Sequence, residues 1–220
     1  MKRCLILANG KSPAKKTIEY FHKKGFTTII CADGGANSAR KLNLIPDFII
    51  GDLDSITDSN LKYYSKRVKV IRYNRQDDTD VDKSIKFAIK NKFSQVVLSG
   101  VTGDRLDHTI CNLGIVIKYL SRINIYTAAE KSFLIPVNNT IRFPSIPGEI
   151  ISIYAFDKKT KVTSAGLKYK LNNSSLAFGV NESTSNVSVD SNVTIEVKNG
   201  VAFVIRELQS LIKYDLFQFV

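Results

Sequence analysis

Apolar residues fall in short runs, CLILA (4–8), TTII (27–30), DFII (47–50), VKVI (68–71), QVVLS (95–99) and INIY (123–126), separated by stretches of helical period. Runs this short and rich in Ile and Val predict buried strands. Between 80 and 90, Val81, Ile85, Ala88 and Ile89 recur at i, i+4, i+7 and i+8, one face of a helix, and Thr79 is well placed to cap it. Residues 106–120 repeat the theme with Leu106, Ile110, Leu113 and Ile117. Strands alternating with helices predict an α/β domain with a mainly parallel sheet covered on both faces. Ligands of such sheets bind beyond the carboxyl ends of the strands.

The texture changes near residue 136. Turn clusters such as PVNNT, FPSIPGE, LNNSS and NESTSN separate the β-prone runs EIISIYAF, NVTIEV and GVAFVIREL, and no helix of ordinary length fits. A smaller all-β, sandwich-like or barrel domain is expected there. The expected division is 1–135 and 136–220, with no internal repeat.

Composition narrows the class. The chain has 220 residues, 44% of them hydrophobic, enough for one large or two small domains. No run of 18 apolar residues occurs, and the apolar stretch in MKRCLILANGKSP is short for a signal peptide, so a cytoplasmic protein without a membrane partner is expected. Cys4, Cys31 and Cys111 are widely spaced with apolar neighbours, which predicts buried thiols rather than a disulfide framework or a zinc site. The net charge of +12 divides into +10 for residues 1–135 and +2 for 136–220. This field favours an anionic partner, nucleic acid or a small polyphosphate, although a solvated Lys-rich surface also accounts for it. Scattered Lys and Arg without a dense basic run or interleaved aromatics argue against nucleic acid.

Against that basic background, eight of the thirteen acidic residues in 1–135 fall in three segments: Asp52 and Asp54; Asp77, Asp78, Asp80 and Asp82; Asp104 and Asp107. Two carboxylates 4 Å apart repel by roughly 4 kcal/mol at an effective dielectric of 20, so clusters of them call for a cation. Asp52 and Asp54, two apart after the third strand, would project to one side, a spacing that suits Mg²⁺. Asp80 and Lys83, at i and i+3, could bring a metal ligand and a phosphate-binding ammonium together. Asp77, Asp78 and Asp82 are more easily explained by turns, helix-dipole compensation, a capping-box position and a surface pair with Lys86. In GVTGDRLDH (100–108), Arg105 can reach phosphate oxygens, and Asp107 or His108 could serve as general base towards a hydroxyl. Asp33, Gly34 and Gly35 of ADGGAN form a turn opening a helix, with backbone N–H groups suited to a phosphate. The pattern supports metal-assisted transfer of a phosphoryl-type group to a hydroxyl, and the absence of a Walker A motif argues against a P-loop enzyme.

ADGGAN, GDLDSI, QDDTDVDK and GVTGDRLDH, followed by GLKYKL (166–171) and STSN (183–186), occur in an order that resembles the thiamine pyrophosphokinase family across nearly the whole chain. The resemblance implies transfer of the terminal diphosphate of ATP to the hydroxyethyl oxygen of thiamine, giving thiamine diphosphate and AMP. It also implies a homodimer whose active site combines residues of both subunits. Carried over motif by motif, Asp52, Asp54 and Asp80 would hold Mg²⁺ and Asp107 would stand close to the reacting groups. Thr79, Lys83, Arg105 and Gln76 would orient ATP or thiamine, with Gln76 on the thiamine side. Tyr169, Ser183, Ser185 and Asn186 would bind thiamine. Position 169 is Tyr where members of the family often have Trp, and Asp104 stands beside Arg105 where a small or neutral residue is usual. Two rival readings are a diphosphokinase for another heterocyclic alcohol, such as a hydroxymethyl pterin, and a basic nucleic-acid-binding module.

Overall fold

The apolar runs become the strands of a parallel sheet. In the computed structural model, which describes residues 1–12, 14–73, 77–103 and 105–219, the chain divides into two units, Met1–Glu130 and Lys131–Val220. The boundary expected at 135/136 falls inside a strand, Ser132–Val137. Unit one runs β1 (Arg3–Leu7), α1 (Lys15–Lys23), β2 (Thr28–Ala32), α2 (Gly35–Lys41), β3 (Phe48–Gly51), α3 (Asp58–Tyr64), β4 (Lys69–Arg72), α4 (Asp80–Lys90), β5 (Gln95–Ser99), α5 (Leu106–Tyr119) and β6 (Asn124–Ala128). Its strands lie in the order β6-β5-β1-β2-β3-β4, each paired parallel with its neighbours. Cys4–Leu7, Ile30, Ile49, Ile50 and Val96–Leu98 are almost wholly buried, as strands covered on both faces must be.

Strand order reverses at β1, with β2 on one side and β5 on the other. The loops leaving β1 and β5 are stitched together there, since Ala8, Gly10 and Lys11 donate N–H bonds to the carbonyls of Ser99, Gly100 and Thr102 at 2.7–2.8 Å. A Cβ on Gly10 would come within 2.6 Å of two of those carbonyl oxygens, so only glycine lets the loops meet.

Helix α4 follows its pattern. The Asp82 N–H donates to Thr79 Oγ1 at 3.2 Å, and Val81, Ile85, Phe87 and Ala88 are buried. Asp82 itself departs from the surface role expected of it. It is buried, and its carboxylate accepts from the Tyr119 hydroxyl and from Lys118 Nζ at 2.6 Å, tying α4 to α5. Helix α5 also departs from expectation. Its buried face is Asn112, Ile115, Val116 and Tyr119, while Leu106 and Ile110 are 72% and 63% exposed. The helix carries two apolar stripes, and periodicity alone could not say which one meets the sheet. Cys111 is exposed on this helix, contrary to the expected burial, whereas Cys4 and Cys31 are buried.

Unit two is antiparallel. It comprises β7 (Ser132–Val137), β8 (Thr140–Pro144), β9 (Ile150–Ala155), β10 (Lys161–Ala165), β11 (Ser174–Ser175), β12 (Ser183–Val187), β13 (Asn192–Lys198), β14 (Ala202–Glu207) and the short α6 (Leu208–Lys213). Within it, four strands follow the order β12-β9-β14-β7 and four the order β11-β10-β13-β8. Alternation along β9 and β13 (Ile151, Ile153, Ala155; Val193, Ile195, Val197) fills its core. Arg206 and Glu149 lie in that core with no exposed side-chain surface, joined by paired bonds of 2.7 and 2.9 Å.

Candidate active site

Three acids from three different strand ends meet in unit one. Asp33 follows β2, Asp52 follows β3, and Asp80 opens α4 after β4, with one carboxylate oxygen of each within 4.8 Å of the others. Gly51 makes the approach possible, because a Cβ there would lie 2.7 Å from Asp33 Cβ and 3.1 Å from Asp80 Oδ1. Lys83 is the local cation. Its ammonium, buried under the first turn of α4, stands 2.9 Å from Asp80 Oδ1 and 3.7 Å from Asp52 Oδ2. Burial alone would lower the Lys83 pKa, but the Asp80 and Asp52 carboxylates outweigh it and hold it above its ordinary value.

Asp33 was expected to contact phosphate, yet the structure gives it a different task. It is 1% exposed, takes a left-handed φ of 41°, and its two oxygens accept the N–H groups of Ser55 and Ile56, both at 3.1 Å. Burial, reinforced by the Asp80 carboxylate, raises its pKa to about 6 against the pull of those two N–H groups. The loop is gripped from α2 as well, where Asn37 donates to the Ser55 carbonyl at 2.9 Å and accepts from the Thr57 N–H at 3.1 Å. The glycines of ADGGAN serve close packing. A Cβ on Gly35 would sit 1.9 Å from the Leu7 carbonyl oxygen, and one on Gly34 would strike the side chain of Asn9.

Asp54 does not share a face with Asp52 through strand alternation. Strand β3 ends at Gly51, and Leu53 adopts a left-handed φ of 70°, so the chain bends and the Asp54 N–H turns back to Asp52 Oδ1 at 3.3 Å. The Asp54 carboxylate, exposed, accepts from the Ser55 hydroxyl at 2.8 Å. That hydroxyl first, then contacts with Asp33, Asp52 and the Lys83 charge, keep its pKa below the usual value. Four carboxylates and one ammonium therefore share this end of the sheet. The donor set is all carboxylate oxygen and partly exposed, which fits a hard divalent cation such as Mg²⁺.

The remaining expected residues are placed as follows. Thr79 caps α4 through its hydroxyl. Arg105 and Asp107 form an exposed bidentate pair, Nε to Oδ1 at 3.2 Å and Nη2 to Oδ2 at 2.5 Å, and the guanidinium holds the Asp107 pKa down at about 2. Gln76 and Asp104 lie outside the described residues.

In unit two, Tyr169 is 61% exposed, while Asn186 is buried and fully occupied. The Asn186 amide donates to the Tyr169 carbonyl at 2.7 Å and to Ser183 Oγ at 3.3 Å, and it accepts the Tyr169 and Val187 N–H groups at 3.0 and 2.9 Å. Asn186 thus clamps the Tyr169 backbone to β12 and has no free polar atom for a ligand. Ser185, in a left-handed φ of 54° at an irregularity of β12, is turned outwards with its N–H on Ser152 Oγ at 3.0 Å.

A family model for the thiamin pyrophosphokinase catalytic domain matches residues 21–127, and one for the thiamin pyrophosphokinase vitamin B1 binding domain matches residues 138–202. Thiamine pyrophosphokinase 3 of Oryza sativa subsp. japonica is 30% identical over 198 residues, covering 76% of this chain and 73% of its own length. The chain belongs to the thiamine pyrophosphokinase family. Thiamin pyrophosphokinase 1 of Caenorhabditis elegans is 29% identical over 201 residues, 84% of this chain and 82% of its own. The crystal structure of the thiamine pyrophosphokinase from Bacillus subtilis superposes with a TM-score of 0.80 at 24% identity, over 94% of this chain and 99% of that one, and shows the shared fold.

Two positions that frame the site, Asn37 and Asn9, were not among the expected ones. Asn37 lies inside ADGGAN, and its place four residues after Asp33 in a short helix was the available signal. Asn9 packs over Gly34 at the end of β1, and the rule that ligands gather beyond strand ends could have flagged the turn that follows the first strand.

Proposed function

We propose that this chain catalyses transfer of the β,γ-diphosphate of ATP to the hydroxyethyl oxygen of thiamine. The thiamine oxygen bonds to the β-phosphorus, the bond from that phosphorus to the oxygen bridging the α-phosphate breaks, and AMP leaves while the hydroxyl proton is lost. The observation that carries the reading is the convergence of Asp33, Asp52 and Asp80, with Lys83 against the last two, in a chain of this family. Asp52, Asp54 and Asp80 would hold Mg²⁺. Asp33, whose oxygens are already engaged by Ser55 and Ile56, fixes the loop that carries two of them. When bound, the ion would offset the phosphate charge that the carboxylates repel. Lys83 is held charged to meet the transferring group, and Asp107, kept ionised by Arg105, orients that guanidinium towards phosphate.

Tyr169, Ser183 and Ser185 supply the thiamine wall, with Asn186 holding it in shape, and the enzyme acts as a homodimer whose active site uses both subunits. The outward Leu106 and Ile110 of α5 give a second subunit an apolar surface to cover. No described helix is long and apolar enough to cross a membrane, and the three free cysteines suit the reducing cytoplasm.

Purified protein incubated with ATP, Mg²⁺ and thiamine should yield AMP and thiamine diphosphate in equal amounts. Absence of thiamine diphosphate, or turnover of a hydroxymethyl pterin in its place, would sink the reading. Mixing Asp52→Asn protein with Tyr169→Ala protein should restore activity that neither has alone, and no restoration would refute the shared site.

A further inference from the structure

Asp82 stands three residues after the Thr79 cap, a position where an acidic side chain ordinarily lies at the helix surface and reaches back to the cap. Here it is buried, and a buried carboxylate has to be met by donors. They come from the neighbouring helix. The hydroxyl of Tyr119, itself buried, donates to Oδ1, and Lys118 Nζ lies 2.6 Å from Oδ2. Lys86, whose closer partner is Asp78 at 2.6 Å, stands 4.0 Å from the same carboxylate. The other end of this link is fixed too. About two turns before Tyr119, on the same buried face of α5, Asn112 Nδ2 donates to the Val101 carbonyl at 2.8 Å, just beyond β5.

The same turn of α4 serves the acid cluster from its other side. At 3.6 residues per turn, Asp82 sits about 200° round the helix from Asp80 and about 100° from Lys83. Those two are the groups that α4 brings to Asp52. Neither Asp82 nor Tyr119 belongs to the cluster. A hydrogen-bonded helical turn moves as one body, however, so what holds Asp82 also fixes how far Asp80 reaches towards Asp33 and Asp52. We infer that Asp82 is a positioning residue: clamped by Tyr119 and Lys118, it sets the roll of α4 and keeps Asp80 and Lys83 in register with Asp52. The inference rests on the diphosphate-transfer reading, in which Asp80 holds Mg²⁺, and adds what keeps that ligand in place.

Tyr119→Phe is the cleanest test, because it deletes one hydroxyl, keeps the ring and changes no charge. With the full chain and no nucleotide, Mn²⁺ binding followed by electron paramagnetic resonance should weaken about tenfold, the low end of what losing an outer partner of a metal ligand costs. With ATP, Mg²⁺ and thiamine, kcat should fall about tenfold while the KM for thiamine keeps its wild-type value, since misplacing a group near the chemistry costs rate. In an Asp80→Asn background, Tyr119→Phe should change the Mn²⁺ Kd by no more than about twofold, because its effect passes through Asp80. Should Tyr119→Phe not fold, Asp82→Asn takes its place in the same cycle, where a purely electrostatic loss would persist in the Asp80→Asn background and a positional one would vanish. An Mn²⁺ Kd and a kcat at wild-type values in a folded variant overturn the inference even if the Tm falls, and so does an effect that survives in full in the Asp80→Asn background. Wild-type protein that binds Mn²⁺ yet forms no thiamine diphosphate would sink the reaction instead, and the Mn²⁺ measurements would still decide the role of Asp82.

Discussion

Glu149 and Asp52 are both carboxylates beside a basic side chain, yet the two units of the molecule hold them in opposite ways. Glu149 is wholly buried, its oxygens taking two bonds from Arg206 and one from Ser145 Oγ at 2.6 Å, and Arg206 also reaches the Pro144 carbonyl at 2.9 Å. That pair is neutral and closed. Asp52 keeps 29% of its side chain exposed, 3.7 Å from a lysine it shares with Asp80, and has Asp33 and Asp54 as further acidic neighbours. Four negative charges against one positive leave a deficit, at a scale of roughly 4 kcal/mol for each close pair at an effective dielectric of 20. Burial with complete partners marks a charge kept for architecture. Exposure with missing partners marks one kept for a ligand.

The largest effect should come from breaking the closed pair. Arg206→Met leaves Glu149 buried without its cation and should cost about 3–5 kcal/mol of stability in urea unfolding. A loss below about 1 kcal/mol would mean that the core relaxes around a lone acid, and the contrast between the units would fail. Next comes the open cluster. Asp54→Asn should cut thiamine diphosphate formation about a hundredfold or more while the Tm without metal stays level or rises, since a repelling charge is removed and no core contact is lost. Activity near wild type would remove Asp54 from the metal set. The smallest effect is on pH dependence. Because the Asp33 pKa is raised in the folded state to about 6 from an ordinary 3.8, its protonated form favours the native state below about pH 4, and that contribution is lost as pH rises through 6. In chelator, the Tm of wild-type protein should therefore fall between pH 4 and 6 relative to that of Asp33→Asn. Parallel curves would show that Asp33 titrates normally.

The α/β unit was legible because its signals are local. Each strand is a contiguous apolar run, and Thr79 with the Val81–Ile89 stripe announces α4. The acids were legible as candidates because strand ends of a parallel sheet share an edge. Their division of labour was not, since it depends on contacts between segments: Asp33 is tied to a loop 22 residues away, and Leu53 breaks the alternation that seemed to pair Asp52 with Asp54. Helix α5 shows the same limit, as two apolar stripes fit one period and only the packed fold chooses. The Glu149–Arg206 pair, 57 residues apart in antiparallel strands and turns, leaves no local trace at all. Asn186 looked like a ligand contact because Asn carries suitable polar groups, and the structure spends all of them on its own backbone and Ser183.

Cys111 offers a practical handle on the face of α5 that the fold leaves uncovered. The other two thiols are sealed in the core, where burial lifts Cys4 to about 12 and Cys31 higher still, so neither forms thiolate at neutral pH. A maleimide dye would accordingly mark the native chain at one position without any engineered residue. Beside Ile110, that dye becomes a reporter whose brightness or anisotropy tracks whether a second subunit has settled over the helix.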